Sequence, residues 1–329
     1  DGAELTVAPD RSELPCPAGT YAGASCGRVA NRIANAEFEL DGRKHKVTAN
    51  AGSLSLHGGR DAFHMRHWDV LDTFQTDAEV GVLFGYTSKD GEEGFPGELA
   101  VTARYALTLQ GGPETCQLSV VYEAELPEDG AATVVNICNH VYWNLSGKPA
   151  SSIKDHTLQT FCPSYIAVDE DSVPVGTVAN VAGTPFDFCN APVALGERID
   201  KVGRELHGEH HGVDHCLAVI SPDEGDSVLA GTRSESYTVG SGTEAIPVVA
   251  VLHDPSSGRE LTVATTQPGM QVYTANWMPG EFKHASVALE TQFFPDSINQ
   301  EKVNPRFKGT ILRHGQNFRS ATVYSVASE

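Results

Sequence analysis

A base that works near neutral pH needs a carboxylate that water does not fully solvate. The segment Leu289-Glu290-Thr291-Gln292-Phe293-Phe294-Pro295-Asp296-Ser297 offers that setting. Val287 to Leu289 reads as the end of an apolar strand, a carboxylate follows at Glu290, and the chain turns at Pro295-Asp296-Ser297. A Glu at such a boundary is half-buried, and desolvation raises a carboxyl pKa above its ordinary value of about 4.3. That moves it toward the range where a general base is effective. A lone Glu at a strand end is more often a plain surface residue. The functional reading rests on further polar residues set on apolar strands elsewhere in the chain.

A proton-trading partner lies in Val134-Val135-Asn136-Ile137-Cys138-Asn139-His140-Val141-Tyr142-Trp143-Asn144-Leu145. Side chains alternate along a strand, so Asn136, Cys138, His140 and Tyr142 share one face. Here His140 is the group that can exchange a proton near pH 7, with an ordinary pKa of about 6.5. A strand histidine is more often a hydrogen-bonded core residue. Tyr142 and Trp143 have flat apolar faces of the kind that stack on sugar rings. Asn144-Leu145-Ser146 matches a glycosylation sequon and is read as a chance match.

Four more positions suit hydroxyl-rich ligands. In Gly27-Arg28-Val29-Ala30-Asn31-Arg32-Ile33-Ala34-Asn35, Arg32 carries five fixed donors and Asn31 both a donor and an acceptor, although an arginine among small residues can equally tie loops together. Asp214, in Val213-Asp214-His215, can accept from a ligand hydroxyl or simply mark a solvated loop-to-strand boundary. In Pro268 to Trp277, Gln271, Tyr273 and Ala275 share a face, and Gln271 can hold a hydroxyl or face water. His57 follows Ser53-Leu54-Ser55-Leu56 and precedes Gly58-Gly59, which leave room beside it. His64 and His67 come next, but without an H-x-E or H-E-x-x-H pattern a metal site is the weaker reading.

These residues need a scaffold, and the chain describes a β-rich one. It has 329 residues, 40% hydrophobic and 20% charged, which is globular in composition. Glu37 to Leu40, Asp41-Gly42 and Lys44 to Thr48 predict a hairpin. Leu99 to Leu109 and Gln117 to Ala124 flank a Gly111-Gly112-Pro113 turn, and Pro247 to Leu252 and Glu260 to Thr265 flank Asp254 to Gly258. The best helical candidate is short, near Ala194 to Val202, and the polar Ser221 to Thr243 reads as a surface insertion. The expectation is an all-β antiparallel sandwich, with residues 1–329 forming one domain.

Charge and cysteines narrow the partners. A net charge of -20 repels nucleic acid and anionic membranes, while a neutral substrate is indifferent to it. No run approaches the roughly 18 apolar residues of a membrane span. Seven scattered cysteines with no C-x-x-C pair point away from a disulfide framework or structural zinc, and toward a reducing, cytoplasmic setting.

Taken together, the ordered blocks resemble the aldose 1-epimerase (galactose mutarotase) family. They are Gly27 to Ile33, Ser55-Leu56-His57-Gly58-Gly59, Asn139 to Leu145, Gly183-Thr184-Pro185-Phe186-Asp187-Phe188, Val213-Asp214-His215, Gln271-Val272-Tyr273-Thr274, and Glu290 to Asp296. The resemblance implies a large antiparallel β-sandwich with an open carbohydrate cleft, and interconversion of α and β anomers of aldohexoses without cofactor or metal. It implies Glu290 as general base, His140 as general acid, and His57 as a group polarising the ring oxygen. Arg32, Asn31, Asp214 and Gln271 would hold hydroxyls, with Tyr142 beside them. Trp143 stands where Phe is usual in the family, and Phe293 where His is common. The family's strands before the Gly-Arg block are expected to be missing or shortened, which would leave a sheet edge open. A phosphosugar epimerase would want an added basic cluster, a binding protein would not need a matched acid and base, and a glycosidase would use two carboxylates. The preferred hexose and the choice between monomer and homodimer stay open at this level.

Overall fold

The computed structural model describes residues 2–7, 20–108, 115–205, 212–219, 236–239 and 245–328. Within them, two antiparallel sheets carry most of the chain. The site sheet has six strands in the spatial order Tyr142–Trp143, Val287–Gln292, Gly269–Tyr273, Asp214–Ala218, Ser164–Val168, Pro174–Asn180. The back sheet has ten, running from Val193–Ala194 through Thr157–Thr160, Ile246–Asp254, Arg259–Thr265, Asn317–Ser328, Thr115–Glu125, Leu99–Thr108 and Glu79–Ser88 to Asp69–Gln75. Ser236–Tyr237 pairs onto the Ile246–Asp254 strand.

The sheets pack because each turns a set of alternate apolar residues toward the other. Leu217, Met270, Val272, Val287 and Leu289 of the site sheet join Val101, Val120, Leu261, Val263 and Tyr324 of the back sheet in one buried cluster. A β-sandwich core forms this way when both inner faces are apolar at period two. The expected all-β antiparallel sandwich is the observed architecture. No helix among the described residues is long and apolar enough to cross a membrane.

The alternation decides what faces away from that core. Val272 lies opposite Leu289, so Gln271 lies opposite Glu290, and Cys216 opposite Gln271. A slip of one residue would send these polar groups into the core, so the apolar set fixes the register. All six residues of Val287–Gln292 are nevertheless buried. Their outward side is roofed by the loops around Tyr21, Cys26 and His57. That roof depends on a close backbone approach: a Cβ on Gly58 (φ +89°) would sit 2.1 Å from the Gly27 carbonyl oxygen.

Several elements differ from their sequence reading. Val134 to Leu145 is not one strand but Thr133–Val134, Cys138–Asn139 and Tyr142–Trp143, because it changes partner from Ile311–Leu312 to Ser25–Cys26 to Val287–Ala288. The second hairpin strand is Arg43–Lys46, the helix is Leu195–Glu205, and the strand from Gly269 ends at Tyr273 before Ala275 turns at φ 52°. The sheet edge beside Tyr142–Trp143 is not open: Val7 donates to the Tyr142 carbonyl and Asn144 to that of Leu5 (both 2.9 Å). Asn144 is buried and its amide donates to the Lys148, Ser151 and Ala285 carbonyls, so the sequon is spent internally. The Gly111–Pro113 turn and most of 221–243 lie outside the described residues.

Leu289→Ala, which empties a fully buried core position one residue before Glu290, should cost about 2–5 kcal/mol in urea unfolding. Gly58→Ala should cost more than Gly42→Ala in the same assay. Both glycines have positive φ, worth about 1–2 kcal/mol to a Cβ, but only Gly58 also meets backbone.

Candidate active site

Above the site sheet lies a cavity of about 650 Å³, and the eight residues singled out by type and spacing all line it. Glu290 is 2% exposed and His140 3%, and the Glu290 Oε1 lies 3.5 Å from His140 Nε2. Strand alternation brings Glu290, Gln271 and Asp214 to the cavity from three neighbouring strands, while His215 points the other way, its ring 4.1 Å from that of Phe186.

Asp214 is the hub of the cavity's polar edge. Gln271 Nε2 donates to its Oδ1 at 2.6 Å, and Arg32 Nη2 to its Oδ2 at 3.2 Å. Gln271 Oε1 is buried without a protein partner, so it is an acceptor left for a ligand hydroxyl. Asn31 Oδ1 accepts from the Arg32 backbone N–H and Nη1, which aligns the guanidinium. Asp296 anchors the same loop from the far end of the chain: its N–H donates to the Arg32 carbonyl and its Oδ1 accepts from Ala34 (both 3.0 Å). One segment thus carries both Glu290 and the brace for Arg32.

Asn31 and His57 are both in the left-handed region, at φ 62° and 50°, and they clasp each other. His57 N–H donates to the Asn31 carbonyl at 2.9 Å, and Asn31 N–H donates to His57 Nδ1 at 3.3 Å. With Nδ1 accepting, the proton of the neutral ring sits on Nε2, so His57 is a donor there. Burial, then the nearby His140 and Arg32, hold His57 well below the usual imidazole range, so it stays neutral. Tyr142 donates its hydroxyl to the Thr20 carbonyl (2.9 Å), leaving its ring, 4.8 Å from that of His140, as the contact surface.

The two titratable groups are pushed in opposite directions. Burial, with the charge of Asp214 adding to it, lifts Glu290 to about 8, against the Cys138 thiol and Arg32. Burial lowers His140 to about 4, against a backbone hydrogen bond and Asp214. The pair therefore binds two protons below about pH 4, one between about 4 and 8, and none above.

Other residues here had no assigned role in the sequence. Tyr21 packs its ring 4.6 Å from His57 and 5.9 Å from His140, and nothing periodic around it marked it. Tyr273 shares the face of Gln271, and Trp277, 60% exposed, stands at the mouth. Cys138, on the same face as His140, donates its thiol to Glu290 Oε2 at 3.5 Å. His57, His64 and His67 do not gather: His64 packs on Tyr21 and His67 is exposed. Two other triads can offer ligand atoms within 4.8 Å of one another, Cys26–His57–Cys138 and His57–His140–Glu290. Arg28, from the same block as Arg32, is structural: it is buried and donates to the Pro96, Gly97, Ser88 and Lys89 carbonyls and to Thr133 and Ser88 hydroxyls.

Known proteins resemble the chain over most of its length. Galactose mutarotase from Homo sapiens is 37% identical over 313 residues, covering 92% of this chain and 78% of that protein. Aldose 1-epimerase from Escherichia coli is 33% identical over 319 residues, covering 94% and 81%. The crystal structure of an aldose epimerase homologue from C. elegans superposes with a TM-score of 0.78 at 22% identity, over 98% of this chain and 87% of that one, which speaks to the fold. The aldose 1-epimerase family model matches residues 8–325, and the chain belongs to that family.

Proposed function

We propose that this chain, an isomerase of the aldose 1-epimerase family, interconverts the α and β anomers of free aldohexoses such as galactose and glucose, with Glu290 and His140 as the proton-transfer pair. The observation that carries the reading is a buried carboxyl and imidazole 3.5 Å apart whose proton affinities are driven in opposite directions. Such a pair is what acid–base chemistry at one carbon requires. Glu290 as carboxylate takes the proton of the C1 hydroxyl while His140 as imidazolium gives one to the ring oxygen. The bond from C1 to the ring oxygen breaks and an aldehyde forms. Rotation about C1–C2 presents the other face of the carbonyl, and reclosure runs with the two groups exchanging roles.

In the empty cleft the single shared proton favours Glu290. Sugar hydroxyls donating to Glu290 favour its ionised form and move that proton to His140. His57 Nε2–H supports the ring oxygen, and Arg32, Asn31, Asp214 and Gln271 hold the remaining hydroxyls, with the Tyr142 ring as a wall. We also read residues 1–329 as one domain, supported by the family match across 8–325 and the core shared by both sheets. A cytoplasmic setting is supported by the six described cysteines being free thiols.

Polarimetry of freshly dissolved α-D-galactose and α-D-glucose should show faster relaxation to an unchanged final rotation. Glu290→Gln should lower kcat by at least about a hundredfold. Near-normal turnover in that variant, or no acceleration by folded wild type, overturns the reading. The pH profile of kcat/KM should be bell-shaped with limbs near 4 and near 8, because a pair with two protons has no base and a pair with none has no acid. Asp214→Asn should move the alkaline limb down, since the Asp214 charge is one cause that raises Glu290.

A further inference from the structure

Two thiols that the proposed reaction does not use sit against the catalytic pair. Cys26 and Cys138 lie directly opposite each other where Ser25–Cys26 runs antiparallel to Cys138–Asn139. Both are free and buried, at 0% and 1% exposure. The His57 imidazole closes over them, and the three potential ligand atoms lie within 4.8 Å of one another. A tetrahedral ion with bonds of about 2.3 Å to sulfur and 2.0 Å to nitrogen spaces its ligand atoms roughly 3.3–3.8 Å apart. Side-chain rotation of about 1 Å thus closes the triad around an ion. Two thiols and an imidazole select zinc-like or softer ions over magnesium and calcium.

We propose that Cys26, Cys138 and His57 form a binding site for a thiophilic divalent cation, and that the bound ion switches off the neighbouring acid–base pair. One divalent cation enters and two thiol protons leave to water, so the local charge is unchanged and no oxidation occurs. The ion supplies the countercharge. If His57 ligates through Nδ1, it gives up only the 3.3 Å bond from Asn31. His57 also lines the cavity beside His140 and Glu290, so a ring drawn toward the thiols takes its Nε2–H away from the sugar. Ligation of Cys138 also removes the thiol hydrogen bond that Glu290 Oε2 accepts at 3.5 Å. The protein's net charge of -20 attracts cations in general.

The test is a cadmium titration of the intact protein, read by the ultraviolet thiolate-to-cadmium charge-transfer band and by polarimetry on the same samples. Wild type should develop the band with one equivalent of ion and lose activity in parallel, and EDTA should restore it. Cys26→Ala should keep its basal rate, lose the band and need at least tenfold more cadmium for half inhibition, with Cys26→Ser as the replacement if the alanine variant does not fold. Absence of the band in wild type overturns the site, as does a band and inhibition unchanged in the Cys26 variant. Inhibition by the ion rests on the proposed function, whereas the band does not. A chain that binds cadmium but never accelerates mutarotation would sink the functional reading and leave the metal site standing.

Discussion

The cleft depends on keeping a carboxyl group out of water. Glu290 is made of ordinary chemistry, and its raised proton affinity comes from where the strand puts it. The alternate apolar residues that precede it, Val287 and Leu289, are drawn into the core between the sheets, which forces Glu290 to the opposite face. A roof of loops then removes solvent from that face. Stability and reactivity are therefore coupled through one strand: the same hydrophobic burial that holds the sandwich together aims and desolvates the base.

The polar edge solves a different problem. Asp214 is an anion near a site that must itself carry negative charge, and its charge adds to the burial that raises Glu290. Arg32 and Gln271 take up its oxygens, with Arg32 opposing the effect of Asp214 on Glu290. Arg32 in turn is set by Asn31 and Asp296. The edge thus presents aligned donors and an acceptor while limiting how far its charge disturbs the base.

How much of this could be read from residues alone follows from physics. Glu290 and His140 are legible because each is a titratable group set in an apolar stretch, although only Glu290 lies within a strand and His140 sits between Cys138–Asn139 and Tyr142–Trp143. Gln271 and Tyr142 followed from period-two alternation, which survived even where the Val134 to Leu145 segment breaks into pieces. What linear order could not convey were pairings across the fold. Arg32 meets Asp214 across 182 positions, and Asp296 meets the Arg32 loop from the other end of the chain. The cysteines are the clearest case. Spacing rules for metal sites look for ligands close in sequence, so Cys26 and Cys138 read as scattered until antiparallel pairing set them face to face. Tyr21 had no pattern at all around it.

The brace between Asp296 and the Arg32 loop carries a consequence for how the molecule comes into being. Contacts that span nearly the whole chain are the last to be rewarded during folding, because a long loop must close before they form. Arg32 and Glu290 are both fixed by the segment after Leu289, so on a ribosome the cleft stays unassembled until that segment emerges. Activity is consequently a property that appears late and all at once, and a chain cut short before residue 290 would lack both Glu290 and the Asn317–Ser328 strand that joins the two halves of the back sheet.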